Sequence, residues 1–278
     1  EKIADEVGPH GSFLRCTGGG EPMLHPKITE MVEYAKSQGC RIWLNTNGTL
    51  LGPSVERLER LRRMIAAGID LIEFSVDAGD AEVYMKVRPP RKLAPDPKNW
   101  AGLVDNVRAA LAIRQELKSP TRIVVSMIMQ KILEGRVDSA VNFWKNDVGV
   151  DDVIQRKYLT WDDNTVLKTD PALYPDLYKQ EMAIAQNERA EAADPNKPIN
   201  AFAAMGLPNA DYPPCVWPFE RLNVDTLGRV TLCGQDISFR TAHLFPNLNQ
   251  ASIKEVWQSP MFRWYREMHL KGEGSRCL

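Results

Sequence analysis

Apolar and polar positions along the first 160 residues switch between two periods. Short β-rich runs occur at Ser12 to Cys16, Arg41 to Asn45, Asp70 to Val76, Arg122 to Met129 and Asp151 to Tyr158. Between them the apolar residues recur at helical spacing: Ile28, Met31, Val32 and Ala35; Val55, Leu58, Leu61 and Ile65; Leu103, Val104, Val107 and Leu111; Val137, Val141 and Trp144. Gly39 and Gly68 stand where helices should close, and Ser54 where one should be capped. Strand and helix in alternation predict parallel β/α units, arranged as a barrel or as an open sheet. The opening EKIADEV reads as the tail of a helix that feeds the first visible strand. A parallel β/α fold puts a strand before such a helix, so the expectation is a chain that starts late.

The pattern changes further on. Lys86 to Pro97 (KVRPPRKLAPDP) holds four prolines and reads as a loop. Trp161 to Asp170 leads into a polar helical stretch that reads as a connector. From Asn209 the segments shorten: PPCVWPFERLNVD, a turn at Thr226-Leu227-Gly228 and then RVTLC suggest a hairpin. The tail from Ser252 to Leu270 places Ile253, Val256, Trp257, Phe262 and Trp264 at mostly helical spacing. The expected organisation is a partial barrel over residues 1–160, a helical connector over 161–208 and a small α+β region over 209–278.

With 278 residues, 44% hydrophobic and 26% charged, the chain can bury a real core. Its 35 basic and 36 acidic residues leave a net charge of -1, which gives no reason to expect nucleic acid or an anionic membrane as partner. No apolar run approaches the ~20 residues of a membrane span, and the start is neither a signal nor a transit peptide, so the default compartment is the cytoplasm. Five cysteines, at 16, 40, 215, 233 and 277, form an odd set without a secretory context. Reduced thiols or metal ligands suit them better than a disulfide framework.

In parallel β/α folds, ligands bind beyond the carboxyl ends of the strands. Those ends carry Gly18-Gly19-Gly20-Glu21, then Asn45-Thr46-Asn47-Gly48, then Ser75-Val76-Asp77, then Met129-Gln130, and Gln155-Arg156 on the fifth run. Taken singly, each has a plain alternative: a turn for the glycines and for Thr-Asn-Gly, a helix cap for Ser75 and Asp77. Taken together they place polar groups on one rim. Three glycines in series make sense there if something must approach the backbone closely.

The Gly-Gly-Glu-Pro, the Thr-Asn-Gly and the Ser-x-Asp followed by an Arg-Pro resemble the radical S-adenosylmethionine enzymes. The C-terminal part resembles their SPASM extension, in which a Cys is followed by Gly-x4-Cys and later by Cys-x2-Cys. Here twelve residues separate Cys215 from Gly228 and four separate Gly228 from Cys233, with Cys277 as the first member of the later pair. The resemblance implies an α/β fold: a partial (β/α)6 barrel lacking its first strand, with a small C-terminal α+β SPASM-like extension.

It also implies roles. The Gly18, Gly19 and Gly20 backbone would face the methionine part of S-adenosylmethionine, with Glu21 holding the turn or accepting a hydrogen bond. Ser75 and Arg88 would take its carboxylate or ribose, and Asn47 and Gln155 would lie near the ribose or adenine. Cys215, Cys233 and Cys277 would ligate an auxiliary 4Fe-4S cluster. The family's reaction passes an electron from a reduced 4Fe-4S cluster to S-adenosylmethionine, and the resulting 5'-deoxyadenosyl radical abstracts a hydrogen from a peptide or small-molecule substrate. A flavodoxin or ferredoxin is the kind of electron donor implied. The Cys-x3-Cys-x2-Cys run that binds the catalytic cluster is not in this sequence, and Cys16 and Cys40, both on strands, read as small buried apolar residues. The chain thus reads as a middle piece, unable by itself to cleave S-adenosylmethionine. In sulfatase-maturing members an Asp directly follows the second cysteine, whereas Gly234 follows Cys233 here, with Asp236 two further on. A zinc knuckle built on the same cysteines is the competing reading.

Overall fold

Five of the apolar runs form β1 (Phe13–Cys16), β2 (Arg41–Thr46), β3 (Leu71–Ser75), β4 (Arg122–Ile128) and β5 (Asp152–Arg156). They pair in parallel in the order β1-β2-β3-β4-β5, each beside its sequence neighbour. The computed structural model describes residues 1–52, 54–89, 96–156, 215, 217–234, 236 and 238–271. The chain divides into two units, Glu1–Ile184 and Ala185–Leu278. The expected connector over 161–208 lies outside the described residues.

The register separates the two faces of the sheet. Leu14, Cys16, Ile42, Leu44, Ile72, Phe74, Val125 and Val153 share one parity and join the apolar core. That core is completed by α2 (Ile28–Ser37), α3 (Val55–Ala66) and α5 (Pro97–Glu116), through residues such as Val32, Leu61, Met64, Leu103 and Val107. The opposite parity carries Arg15, Trp43, Asn45, Glu73, Ser75, Ser126 and Arg156. A parallel sheet with helices on both faces would be apolar on both. One helix-packed apolar face and one polar face is the pattern of a partial barrel wall.

The local signals explain most boundaries. Ser54 Oγ accepts from the Arg57 N–H at the start of α3, and Gly39 and Gly68 take φ of +91° and +81° past α2 and α3. The opening residues form α1 (Lys2–Val7). Two expectations are corrected. The loop assigned to Lys86 to Pro97 is shorter at both ends: Lys86 and Val87 finish a helix absent from the sequence reading, α4 (Ala81–Val87), capped by Asp80, while Pro97 is the first residue of α5, capped by Asp96. Proline fits there because the first helical N–H needs no partner. The fourth helical pattern also splits, α6 (Val137–Asn142) running into a π turn (Phe143–Val148). Trp144 in that turn is fully buried and its indole N–H donates to the Ala78 carbonyl at 2.7 Å.

In the second unit, a short helix α7 (Trp217–Glu220) precedes the hairpin of β6 (Asn223–Val224) and β7 (Val230–Thr231), with Gly228 at φ +74° in the turn. The single helix expected over Ser252 to Leu270 is two, α8 (Ile253–Trp257) and α9 (Pro260–Leu270). Pro260 cannot continue α8, and Ser259 caps α9 instead. No described helix is long and apolar enough to cross a membrane.

Two glycines separate packing from access. A Cβ on Gly79 would lie 2.3 Å from the Ala140 backbone, whereas one on Gly20 would meet nothing within 4 Å. Gly79→Ala is therefore expected to lower the stability of the first unit by ~1–3 kcal/mol, the usual range for overpacking, and Gly20→Ala to leave it unchanged. Urea unfolding of both variants followed by circular dichroism checks the contrast; equal midpoints would contradict it.

Candidate cofactor sites

Glu21 fixes the glycine loop to the end of β2. Its Oε1 accepts from the Met23 N–H at 3.0 Å and the Thr46 hydroxyl at 2.7 Å, and its Oε2 from the Asn47 N–H at 2.7 Å. All three donors are local protein groups, so this carboxylate positions the loop. Gly18, with φ +148°, Gly19 and Gly20 are exposed, and a Cβ on any of them would reach open space. The contrast with Gly48 is direct: there a Cβ would meet Phe74 and Leu103 at 2.7 Å, so that glycine serves packing. Asn47 turns its Oδ1 to the Thr49 N–H and hydroxyl, leaving its amide nitrogen without a partner among the described residues.

At the end of β3 the structure joins Ser75, Asp77 and Arg88. Asp77 is a buried non-glycine residue at φ +59°. Its Oδ1 accepts from the Ile128 N–H at 2.7 Å, and its Oδ2 from Arg88 Nε at 2.9 Å and Nη2 at 2.6 Å. Arg88 Nη2 also donates to Ser75 Oγ at 3.1 Å. The cap alternative for Ser75 and Asp77 is corrected: Asp80 caps α4, while Asp77 ties β3 to β4 and aims Arg88. Arg88 keeps Nη1 for a ligand, and its side chain is 28% exposed.

Deeper on the same polar face lies a cluster that the sequence did not single out. Glu73, with no exposed side chain, accepts from Trp43 Nε1–H at 2.9 Å, from Arg156 Nη2 at 2.8 and 3.0 Å, and from Arg15 Nη2 at 3.5 Å. Burial, the strongest influence, would raise its pKa; the Arg156 charge, hydrogen bonds from Ser126 and Arg156, and the Arg15 charge outweigh it and hold the carboxyl below the usual range. The Arg15 guanidinium stacks 3.9 Å over the Trp43 ring. A Glu inside an apolar run, Leu71 to Phe74, was the available signal. The partner arginines lie 58 and 83 residues away, so only the fold assembles the cluster.

Gln155 pairs with Met127, the parity of Val125 and Val153, and so belongs to the helix-facing register while Arg156 belongs to the polar one. Cys16 and Cys40 lie on the core side; burial pushes both thiols up, with Asp5 adding to the effect at Cys40 and Lys36 opposing it. Neither is suited to be a thiolate ligand.

In the second unit, Cys215 sits just before α7 and Cys233 just after β7. A Cβ on Gly234 would fall 1.9 Å from the Trp217 ring, so the glycine after Cys233 lies flat against the residue two beyond Cys215. That contact brings the two cysteine-bearing segments together. Cys277 lies outside the described residues. Asp236 is engaged by the N–H groups of Arg240 and Thr241 and the hydroxyls of Thr231 and Thr241, each at 2.8 to 2.9 Å. Burial acts against its charged form, but those hydrogen bonds prevail and lower its pKa to about 2.

An open glycine bed at the carboxyl rim of the first unit, and in the second a hairpin flanked by two cysteines, are features of a cofactor-binding β/α protein. The radical SAM superfamily model matches residues 2–128 and the iron-sulfur cluster-binding SPASM domain model residues 215–278. AdoMet-dependent heme synthase of Methanosarcina barkeri is 38% identical over 84 residues, 30% of this chain and 23% of that protein. PqqA peptide cyclase of Gluconobacter oxydans is 27% identical over 95% of this chain and 68% of its own length. Among solved structures, Streptococcus suis SuiB bound to S-adenosylmethionine matches with a TM-score of 0.64 at 16% identity, over 96% of this chain and 59% of that one. A second, anSMEcpe with bound AdoMet, matches at 0.63 and 14%, over 99% and 72%. At such identities the structures show a shared fold. The chain belongs to the radical S-adenosylmethionine superfamily, in its SPASM subgroup. It spans only 20 to 23% of the length of the first curated relatives.

The family's cofactors are S-adenosylmethionine and 4Fe-4S clusters. The residues fit the first, through the open glycine bed and the unspent Arg88 donor. They fit an auxiliary cluster in donor chemistry, through two cysteines on segments that meet at Trp217 and Gly234. They do not fit the catalytic cluster: the chain has no Cys-x3-Cys-x2-Cys run, and Cys16 and Cys40 are committed to the core.

Asp236 sets a pH dependence. Because its folded pKa is about 2 against an ordinary 3.8, its stabilisation is complete above pH 3.8 and is lost as the pH falls to about 2. Thermal unfolding of the second unit should steepen in that window in the wild type and stay flatter in Asp236→Asn; parallel profiles would contradict the assignment.

Proposed function

We propose that this chain provides the S-adenosylmethionine bed and an auxiliary-cluster domain of a peptide-modifying radical S-adenosylmethionine enzyme. The observation that carries the reading is Arg88. A buried carboxylate and a hydroxyl hold it on the strand rim with one guanidinium nitrogen unspent. On the same rim three glycines expose backbone with no side chain above it. An amino-acid cofactor needs both, a cationic donor for its carboxylate and bare carbonyls for its ammonium.

In this reading Ser75 and Arg88 take the methionine carboxylate, and Gly18, Gly19 and Gly20 take the ammonium. The Asn47 amide reaches toward the ribose, while Gln155, expected near the adenine, stands on the helix-facing register and is left out of the site. Glu21 and Asp77 are positioning residues that hold the loops. Bound there, the cofactor supplies one-electron chemistry for removing a substrate hydrogen, and the barrel orients the substrate and keeps water out. Cys215, Cys233 and Cys277 hold an auxiliary 4Fe-4S cluster, and a flavodoxin or ferredoxin supplies the electron. A peptide substrate is favoured by the likeness to PqqA peptide cyclase over 95% of this chain and by the fold shared with SuiB, one of whose structures is bound to the precursor peptide SuiA. Sulfatase-type use of Asp236 as base is disfavoured, since four donors already occupy its carboxylate.

Isothermal titration of the 278-residue chain with S-adenosylmethionine tests this. Saturable binding is expected, weakened about tenfold or more by Arg88→Gln, the loss of a charge-assisted hydrogen bond, and less by Ser75→Ala. Anaerobic incubation with dithionite should leave the cofactor intact, because the catalytic-cluster ligands are not in this chain. Absence of binding, or an Arg88→Gln chain that binds as the wild type does, would contradict the reading.

A further inference from the structure

The cluster around Glu73 is built more elaborately than packing requires. A carboxylate with no exposed side chain sits on the polar face of the sheet, and Trp43, Ser126, Arg15 and Arg156 all donate to it. Burying such a group is expensive unless its partners are fixed, and an apolar side chain would fill the same volume more cheaply. Arg156 gives only Nη2 to Glu73; its Nη1 and Nε bond to nothing else among the described residues, and the side chain is 34% exposed. Because Glu73 is shared among several donors, it only partly offsets the charge of Arg156. Arg156 stands at the carboxyl end of β5, opposite Ile128 of β4 in the register. Glu73 lies two residues before Ser75, about 7 Å deeper along β3. The guanidinium reaches back from the strand end to Glu73 and is clamped there through Nη2, with Nη1 and Nε left over.

We propose that Arg156, positioned by Glu73, is a substrate-binding residue that anchors a carboxylate of the substrate one layer below the cofactor rim. A singly charged carboxylate suits it better than a phosphate dianion, since Glu73 has already taken part of the charge. This rests on the reading of the rim as the cofactor site only for the direction of the substrate; the anion site itself is defined by Arg156, Glu73 and Trp43. The carboxylate is an acidic side chain or a chain terminus of the substrate, distinct from the methionine carboxylate assigned to Ser75 and Arg88.

The test uses Trp43 as a reporter, because its indole N–H is bonded to Glu73. Its proton resonance is assigned by its loss in Trp43→Phe. The 278-residue chain is titrated with N-acetyl-L-glutamate α-amide for a side-chain carboxylate, N-acetyl-L-alanine for a terminal one, and N-acetyl-L-glutamine α-amide as the neutral isostere. A saturable shift is expected with one or both carboxylates, the stronger identifying the source, and at least about tenfold weaker binding of the neutral amide. Arg156→Gln should abolish the response while leaving S-adenosylmethionine affinity within about twofold of wild type. Should loss of the Glu73 partner unfold Arg156→Gln, Arg156→Lys keeps the charge and loses the fork; it should fold and bind the carboxylate about tenfold more weakly. The proposal is overturned by no saturable shift, by an equal shift with the neutral amide, or by wild-type carboxylate binding in either variant. It is equally overturned if Arg156→Gln weakens S-adenosylmethionine as much as Arg88→Gln does, which would make Arg156 part of the cofactor site. A carboxylate response in a chain that does not bind S-adenosylmethionine would uphold this site and reject the cofactor reading instead.

Discussion

A parallel strand runs out of ladder partners at each end, and the backbone N–H groups left there must be answered. In the first unit carboxylates answer them. At the amino end, Asp70 Oδ2 accepts from the Ile42 N–H at 2.8 Å and Asp151 Oδ2 from the Ile123 N–H at 2.6 Å. At the carboxyl end, Glu21 takes the Asn47 N–H and Asp77 the Ile128 N–H, both at 2.7 Å. Each bond joins a loop to a neighbouring strand, so loop position is coupled to sheet register. The two amino-end carboxylates spend their remaining capacity on structure, Asp70 on Lys36 and Asp151 on Arg114. The carboxyl-end pair differs: Glu21 holds a loop whose glycines stay open, and Asp77 holds an arginine that keeps a donor in reserve.

That asymmetry is the structural origin of the site. Binding groups of a parallel sheet collect at the carboxyl end because the loops there are free to vary. They bind well only if they are held still. Asp77 accepts a left-handed backbone, unusual for a residue with a side chain, and in that conformation it reaches both Ile128 and Arg88. The polar face below repeats the device with Glu73 and its arginines. Arg88 and Arg156 are thus each backed by a buried carboxylate on the same polar face.

How much of this could be read in the chain follows from the range of each interaction. The strands and most helices were visible because apolar periodicity is local, and Ser54, Gly39 and Gly68 mark their ends by local rules. α4 escaped because seven residues carry too little periodicity to stand out beside a proline-rich loop. The break at Ser259-Pro260 was hidden by apolar spacing that continues in phase on both sides. The rim motifs could be placed from strand ends alone, yet their division of labour could not. Glu21 and Asp77 are in the sequence, but the strand-end groups they hold, at Thr46 and Ile128, lie 25 and 51 residues away. Gln155 and Arg156 are adjacent in sequence, and only the pairing with β4 sends them to opposite faces. Arg156 was visible as a strand-end residue, but Glu73 and Trp43 look ordinary alone; their meeting is a product of the fold.

The most direct test of the rim as an S-adenosylmethionine bed is a hydrogen–deuterium exchange footprint of the chain with and without the cofactor. Protection is expected over 17–24, 45–49 and 75–89, the loops held by Glu21 and Asp77, with exchange in 217–271 unchanged. Protection confined to other segments, or none at saturating cofactor, would contradict that assignment.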